Sequence, residues 1–310
     1  MKSTPKHKIV VTGGSGFIGK FLVQKLLAEG HHVKVVDTKK IDIKHPNLLF
    51  IKKSVMENLR FNFLGYDAVF HLAAMLGVVS SDNNPLRTLE NNIDGTVNVF
   101  RSALDTGIKK IIYSSSSEVY GEPISLPITE DSRKAPVSTY GISKLTAEVY
   151  ARAFSIEYGM DIRPARFFNV YGPGQGSEWV IPIFIKKVIK GEPIPIFGSG
   201  EQVRCFTYVE DIISGLIAVF ERGKFSEPYN IGNDHPTTLI ELAQTIMKVL
   251  GKKVEIQICG YGSNTRKKER EIVKRIPSID KIRKIGWRPT TSLEDGLYKT
   301  VVWYKKMMGI

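Results

Sequence analysis

The sequence predicts an α/β protein built on a doubly wound parallel sheet, with a smaller, discontinuous region towards its C-terminus. Short apolar runs alternate with segments of helical period through the first half of the chain, and glycines separate many of them. Such alternation places parallel strands in one sheet and helices on both of its faces. The predicted strands cover residues 8–12, 32–37, 67–72, 110–115 and 161–167. The predicted helices cover residues 17–29, about 85–104 and about 139–158.

The composition changes after the stretch NVYGPGQG, where proline and glycine become frequent. We therefore predict that the first domain covers residues 1–169. The strand-then-helix pattern RCFTYVEDIISGLIAVF predicts that the chain returns to the main sheet over about 204–231. The second region then consists of 170–203 and 232–310. Within it, Thr238 and Glu241 form a predicted capping box at the start of a helix.

Length and composition are those of a globular protein. With 310 residues, 42% hydrophobic and 24% charged, the chain is long enough to bury a proper core. No apolar run reaches the roughly 18 residues that a membrane-spanning helix needs, and the N-terminus shows no signal-peptide core. We therefore expect a cytoplasmic protein without a membrane segment. Cys205 and Cys259 are expected to be free thiols, and the six histidines show no metal arrangement.

The net charge of +13 raises three interpretations: nucleic-acid binding, a lysine-rich solvated surface, or basic residues that hold the phosphates of small ligands. The densest basic region, 266–288, is interrupted by Glu269, Glu271 and Asp280. No zinc-finger spacing and no aromatic RNA-binding motif is visible. The charge alone therefore favours the solvated surface.

A glycine-rich loop follows the first predicted strand. Gly13, Gly16 and Gly19 stand three residues apart, directly after the strand and at the start of the helix. One glycine permits the tight turn, one lets the backbone approach a pyrophosphate, and one brings helix against strand, so the spacing predicts a Rossmann-type dinucleotide site. Asp37 ends the next strand, where a carboxylate binds ribose hydroxyls and favours NAD over NADP. Two lysines that follow it closely soften that preference.

Tyr140 and Lys144 lie four residues apart in STYGISKLTAE and share one face of the predicted helix. A phenol has an ordinary pKa near 10, so it is a poor base at neutral pH. A neighbouring ammonium group favours the phenolate, and lowering the pKa by about three pH units takes about 4 kcal/mol. We expect Lys144 and the positive ring of a nicotinamide to supply this together.

The chain is similar to extended short-chain dehydrogenases/reductases of the NAD-dependent nucleotide-sugar epimerase/dehydratase group, over nearly its whole length. The motifs that carry the similarity are TGGSGFIG, Asp37, DAVFHLAA, NNIDGTVNV, SSSSEVYG, YGISK, RFFNVYGPGQ, RCFTYVED and KIGWRPTTSLEDGL. Together they are specific for the family and much less specific for the reaction. The resemblance implies an enzyme that oxidises the C4 hydroxyl of a nucleotide-linked sugar with bound NAD.

The resemblance also implies roles for individual residues. Ser116, four positions before the tyrosine of VYG, would hydrogen-bond the sugar hydroxyl and hold it against Tyr140, which removes the proton. Lys144 would also bind the nicotinamide ribose. The implied cofactor site comprises Gly13, Gly16, Phe17, Ile18, Gly19, Asp37, Leu72, Ala73, Ala74, Asn92, Tyr140 and Lys144.

Glu118 leaves the reaction open. In related 4,6-dehydratases an acid at this place takes a proton from C5, and uronate decarboxylases have a similar Ser-Glu pair. A carboxylate that only hydrogen-bonds loop backbone is an equal alternative. A 4-epimerase is our leading expectation, with a 4-dehydrogenase, a 4,6-dehydratase or a decarboxylase as alternatives. A non-catalytic nucleic-acid-binding module on the same scaffold is a remote alternative.

On the substrate side, the resemblance assigns Asn169 and Arg275 to the diphosphate and Arg204 to the nucleotide of a UDP-, GDP- or dTDP-sugar. Two positions depart from the family pattern: Ser54 and Ser278 each stand where an aspartate is usual. The resemblance also implies a homodimer through the helices over 85–104 and 139–158, and no nucleic-acid or membrane partner is expected.

The three tryptophans are expected to be packing residues rather than stacking platforms. These residues are Trp179, Trp287 and Trp303.

Overall fold

A computed structural model describes residues 6–76, 81, 83–260 and 272–310. The strands are, in chain order, Lys8–Thr12 (β1), His32–Asp37 (β2), Leu48–Lys52 (β3), Ala68–His71 (β4), Lys110–Ser116 (β5), Asp161–Phe167 (β6), Val170–Tyr171 (β7), Ile194–Phe197 (β8), Val203–Arg204 (β9), Thr207–Tyr208 (β10), Tyr229–Ile231 (β11), Thr237–Thr238 (β12), Ile256–Cys259 (β13) and Lys274–Arg275 (β14).

The helices are, in chain order, Phe17–Ala28 (α1), Arg60–Phe63 (α2), Pro85–Asp105 (α3), Thr139–Tyr158 (α4), Val180–Lys190 (α5), Val209–Arg222 (α6), Leu239–Leu250 (α7), Asp280–Arg283 (α8) and Leu293–Met307 (α9). A short 3-10 helix, Ser117–Val119, follows β5 directly.

Seven strands form the central sheet in the order β11-β6-β5-β4-β1-β2-β3, and every neighbouring pair is parallel. The order reverses direction between β1 and β4. At such a switch point, the loops that leave the carboxyl ends of the strands diverge and open a crevice for a ligand. The predicted fold class is confirmed.

The sheet is covered on both faces because successive side chains of a strand point to opposite sides. In β1, Ile9 and Val11 belong to a core with Leu22 of α1, which also includes α6. Val10, between them, belongs to a second core with Phe100 of α3, which also includes α4. This double burial explains why the central strands are continuous apolar runs.

The predicted bounds are close to the observed ones. Those of β2, β6 and α4 agree at both ends, and β5 extends one residue further, through Ser116. The strand β3 was missed by the sequence analysis. It lies at the edge of the sheet and is only partly buried, so its apolar signal is weak.

Smaller sheets follow in the second half of the chain. β8 pairs with β13, and β9 pairs with β12 and β14. Helices α5, α7 and α9 share a separate apolar core with the first of these sheets. Strand β11 lies beside β6 in the central sheet, while the predicted division into two discontinuous regions stays a prediction. The capping box of Thr238 and Glu241 is confirmed at the start of α7.

Cys205 and Cys259 are free thiols, as predicted. No helix in the described part of the chain is long and apolar enough to cross a membrane. The predicted basic region over 266–288 lies partly outside the described residues, since its first six positions do.

Candidate active site

A cavity of about 320 Å³ lies at the carboxyl ends of β1, β4, β5 and β6. This volume is in the range of small-molecule sites. The glycine-rich loop and the serines of β5 form one side of it. The other side comes from the segment 167–181, together with Phe206 and Arg275. The cavity therefore lies at the switch point of the sheet.

The glycine-rich loop fits a dinucleotide pyrophosphate. Gly13 has a φ of 72°, and a Cβ on it would lie 2.5 Å from the backbone nitrogen of Ala73. A Cβ on Gly19 would lie 2.2 Å from the Gly13 carbonyl oxygen. Gly16 precedes α1, and no side chain caps this helix end, which borders the cavity. Because an uncapped helix N-terminus attracts anions, the loop suits the phosphates of NAD.

The Asp37 carboxylate is held in place by the same loop. It accepts hydrogen bonds from the backbone nitrogen of Ser15 at 3.0 Å and from that of Lys39 at 2.9 Å, one on each oxygen. Each carboxylate oxygen has a second lone pair. Asp37 is therefore oriented and can still accept hydrogen bonds from ribose hydroxyls.

The loop after β4 contains three of the predicted cofactor residues. Leu72 lines the cavity, and Ala73 lies against the glycine-rich loop. Ala74 follows and is half-buried. These residues form the wall of the crevice opposite α1.

Asn92 lies behind that wall. Its side-chain oxygen accepts a hydrogen bond from the backbone nitrogen of Met75 at 2.7 Å. Its side-chain nitrogen donates to the Met75 carbonyl at 3.1 Å and to the Ser143 hydroxyl at 3.1 Å. Asn92 thus ties the loop after β4 to the helix that carries Tyr140.

The four consecutive serines have separate contacts. The Ser114 carbonyl accepts a hydrogen bond from Lys144 Nζ at 2.7 Å. The Ser115 hydroxyl donates to Glu148 Oε1 at 2.5 Å. The Ser116 hydroxyl accepts from the backbone nitrogen two residues further on, at 3.2 Å, and so caps the 3-10 helix. The serine run therefore joins the end of β5 to α4.

Ser116 and Tyr140 both line the cavity. Burial and the nearby Glu118 raise the pKa of Tyr140 above its ordinary value, and the nearby Ser116 hydroxyl offsets only part of this. Burial also lowers the pKa of Lys144 to about 7, although Glu148 acts in the opposite direction. Burial and Glu118 therefore outweigh Ser116 in the protein alone, and the lowering expected from Lys144 together with a nicotinamide ring stays a prediction.

Glu118 pairs with Arg275. Arg275 Nη1 donates to Glu118 Oε1 at 2.6 Å, and the Ser138 hydroxyl donates to the other oxygen at 3.3 Å. Burial acts to raise the pKa of Glu118, but Arg275 and then Ser138 outweigh it, so this pKa lies below its ordinary value. Glu118 is therefore an ionised carboxylate with two fixed partners.

Two of the three predicted substrate residues line the same cavity as the glycine-rich loop. Asn169 lines the cavity and has a φ of 36°, a conformation that non-glycine residues seldom adopt outside functional sites. Arg275 also lines the cavity, and Arg204 is its neighbour in the ladder between β9 and β14. The structure thus brings Asn169 and Arg275 together and places Arg204 one strand away.

The sequence analysis missed several residues of the cavity wall. Trp179, expected to be a packing residue, lines the cavity and is 39% exposed. Trp287 is buried as predicted. Gln175 and Phe206 also line the cavity, and they belong to the two motifs from which only Asn169 and Arg204 were selected.

A parallel sheet with a glycine-rich crevice, and with serine, tyrosine and lysine beside it, defines an enzyme of the extended short-chain dehydrogenase/reductase class. The chain belongs to the NAD dependent epimerase/dehydratase family, whose sequence profile matches residues 9–232. It is accordingly an NAD-dependent enzyme of the group that contains nucleotide-sugar epimerases, dehydratases and decarboxylases.

Three relatives illustrate the range of that group. A UDP-N-acetyl-alpha-D-glucosaminuronate decarboxylase of Bacillus cytotoxicus is 32% identical and is matched over 97% of this chain and 99% of its own. The structure of a UDP-glucose 4-epimerase from Thermotoga maritima with UDP-glucose is 34% identical, with a TM-score of 0.90 over 97% of this chain and 99% of that one. A dTDP-glucose 4,6-dehydratase from Streptomyces venezuelae, solved with NAD, is 31% identical, with a TM-score of 0.90 over 97% and 98%.

Proposed function

We propose that this protein is a nucleotide-sugar 4-epimerase. The observation that carries the proposal is that Ser116, Tyr140, the glycine-rich loop, Asn169 and Arg275 all line one cavity. A sugar nucleotide with its diphosphate at Asn169 and Arg275 would therefore share this cavity with the phenol and with a dinucleotide at the glycine-rich loop.

The catalytic proposal concerns one hydroxyl group. When bound at the glycine-rich loop, NAD supplies the hydride acceptor for C4 and, in its oxidised form, a positive charge beside the phenol. Tyr140 takes the proton of the C4 hydroxyl and returns it once the sugar presents its other face, while Ser116 holds the oxygen. No net oxidation results, and the configuration at C4 is inverted.

The state of Glu118 supports epimerisation over dehydration. A 4,6-dehydratase needs a base for the C5 proton, and a base works best when its pKa lies near the operating pH. Glu118 has a lowered pKa and is held by Arg275 and Ser138. Epimerisation at C4 needs no such base.

Decarboxylation is the second candidate, and Arg275 favours it. Oxidation at C4 of a uronate gives a β-keto acid, which loses CO₂ without a further base at C5. A guanidinium in the cavity wall suits a carboxylate as well as a phosphate. The curated relatives include uronate decarboxylases.

A helix N-terminus beside the cavity supports a nucleoside diphosphate as the part of the substrate that is bound there. Helix α5 begins beside the cavity, and no side chain caps its N-terminus. The nucleotide is open among UDP, GDP and dTDP, so a panel of all three, with uronates included, identifies the substrate. NMR of the products distinguishes an epimer from a keto sugar, and released CO₂ marks decarboxylation.

The test of the chemistry is Tyr140→Phe, which removes only the hydroxyl. We expect turnover to fall by at least about a hundredfold, because positioned acid–base groups contribute about 10²–10⁴ in rate. NAD binding, measured by fluorescence titration, should stay within a fewfold of wild type. Activity close to that of wild type would overturn the proposed mechanism.

We also propose a homodimer through α3 and α4. On α4, Val149 is 62% exposed and Ile156 is 76% exposed, and on α3 Leu86 is 73% exposed. Sedimentation of the protein with a charged residue at position 156 tests this, since such a change should shift the protein towards monomer.

A further inference from the structure

A buried cluster of charged residues lies directly behind the serine run. Glu148 follows Lys144 by four residues on α4, so the two share one helix face. Arg166 of β6 grips the Glu148 carboxylate with two hydrogen bonds, from Nε at 2.9 Å and from Nη2 at 2.6 Å. The Ser115 hydroxyl donates to the same carboxylate at 2.5 Å. Both Glu148 and Arg166 are at least nine-tenths buried.

The cluster continues beyond the ion pair. Arg166 Nη1 donates to the Tyr120 hydroxyl at 2.7 Å and to the Glu130 carbonyl at 2.9 Å. The Tyr120 hydroxyl in turn donates to the Asn230 side-chain oxygen at 2.6 Å. These contacts fix Arg166 from β11 and from the loop after β5, so the position of the Glu148 carboxylate is fixed as well.

Lys144 has few other charged neighbours. Its amine lies 4.9 Å from the centre of the Tyr113 ring and 5.7 Å from that of Tyr140, and His71 lies near it from β4. Tyr113 and His71 are uncharged at neutral pH because burial raises the pKa of the first and lowers that of the second. Glu118 acts on the pKa of Tyr140. Glu148 is thus the carboxylate whose charge acts on this amine.

We propose that Glu148 is a positioning residue of the active site, whose carboxylate, clamped by Arg166 and Ser115, keeps the buried Lys144 amine protonated in the working enzyme. Burial works against that protonation, and a neutral amine would neither favour the phenolate of Tyr140 nor bind as a cation. This inference rests on the proposed function in one respect, because the catalytic role of Lys144 comes from that function. The charge coupling itself is a property of the protein without substrate.

The experiment measures the titration of Lys144 directly. Protein labelled with ¹³C-lysine is titrated by NMR without substrate, and the buried amine is assigned by the loss of its signal in Lys144→Arg. In wild type the midpoint is expected near 7, far from that of exposed lysines. Glu148→Gln should move the midpoint down by about one pH unit, and Arg166→Gln should move it up by a similar amount.

Opposite shifts separate the proposal from a purely structural role, because both variants break the same ion pair. A matched control is Asp161→Asn, which breaks another buried pair, between Asp161 and Arg163, with two hydrogen bonds of 2.9 and 2.6 Å. It should leave the Lys144 midpoint unchanged. An unchanged midpoint in Glu148→Gln, or shifts in the same direction in Glu148→Gln and Arg166→Gln, would overturn the proposal.

A second variant keeps the proposal testable if Glu148→Gln does not fold. Glu148→Gln combined with Arg166→Gln removes both buried charges, and because the two single shifts are opposite and of similar size, its midpoint should lie well above that of Glu148→Gln and close to that of wild type. In the active enzyme, the alkaline limb of the kcat/KM profile should follow the NMR midpoint in each variant. If the NMR shifts occur and no nucleotide sugar is turned over by wild type, the charge coupling stands and the proposed function fails.

Discussion

Replacing Glu118 by glutamine separates epimerisation from dehydration. Glutamine keeps the shape of the Glu118 side chain and one acceptor oxygen. The hydrogen bond from Arg275, which is 2.6 Å long in the wild type, can therefore still form, but the negative charge of its acceptor is lost. A charge-assisted hydrogen bond contributes about 1.5–3 kcal/mol and a neutral one about 0.5–1.5 kcal/mol, so the loss is about 1 kcal/mol. If Glu118 only holds Arg275, the activity should fall by roughly fivefold to tenfold. If it is the base for C5, the fall should be about 10²–10⁴.

The assay is kcat and KM on the nucleotide sugar found in the panel, followed by incubation in deuterated water. Epimerisation at C4 leaves the carbon positions free of solvent deuterium, whereas dehydration places deuterium at C5, because C6 receives the hydride removed from C4 and C5 is reprotonated from solvent. Glu122→Gln is the matched control, since Glu122 lies four residues further along the same loop and is exposed. A loss above a hundredfold in Glu118→Gln, or deuterium in the product, would refute the assignment of Glu118 as a holding residue.

Two further predictions concern stability and cofactor binding. Gly19→Ala should lower stability by about 1–3 kcal/mol and weaken NAD binding, because the new Cβ would lie 2.2 Å from a backbone oxygen. Gly260→Ala is the control, because no atom of the described residues lies within 4 Å of its Cβ, and equal melting temperatures in the two variants would contradict the packing argument. His71 is fully buried, and burial lowers its pKa to about 3, whereas the unfolded chain titrates near 6.5. Below pH 6.5 the unfolded state therefore binds a proton that the folded state does not, so stability should fall by about 1.4 kcal/mol per pH unit down towards pH 3. His71→Asn should flatten this part of the curve in urea denaturation, and an unchanged slope would show that other groups cause it.

The elements that the sequence predicted well carry local signals. Helix α4 begins after Ser138, whose hydroxyl caps the Gly141 nitrogen, and ends at Gly159 with a φ of 63°. The glycine-rich loop is equally local, since its three glycines lie within seven residues. In both cases the residues that decide the conformation are neighbours in the chain.

The features that the sequence did not predict depend on contacts between distant segments. Glu118 and Arg275 are 157 residues apart, and nothing in either motif indicates that they pair with each other. Trp179 lies on the cavity wall because of the way α5 packs in the second half of the chain. The lowered pKa of Lys144 is a further example, since the burial of its amine becomes visible only in the folded protein.

The ion pair between Glu118 and Arg275 joins the loop after β5 to a strand near the C-terminus. A ligand that extends from the glycine-rich loop to Arg275 connects the same distant parts a second time. Saturating substrate and cofactor should therefore make both halves of the chain melt in one sharp calorimetric transition, and at a higher temperature than the free protein. With substrate and cofactor bound, a protease should also cleave the chain between these halves more slowly, in proportion to the gain in stability.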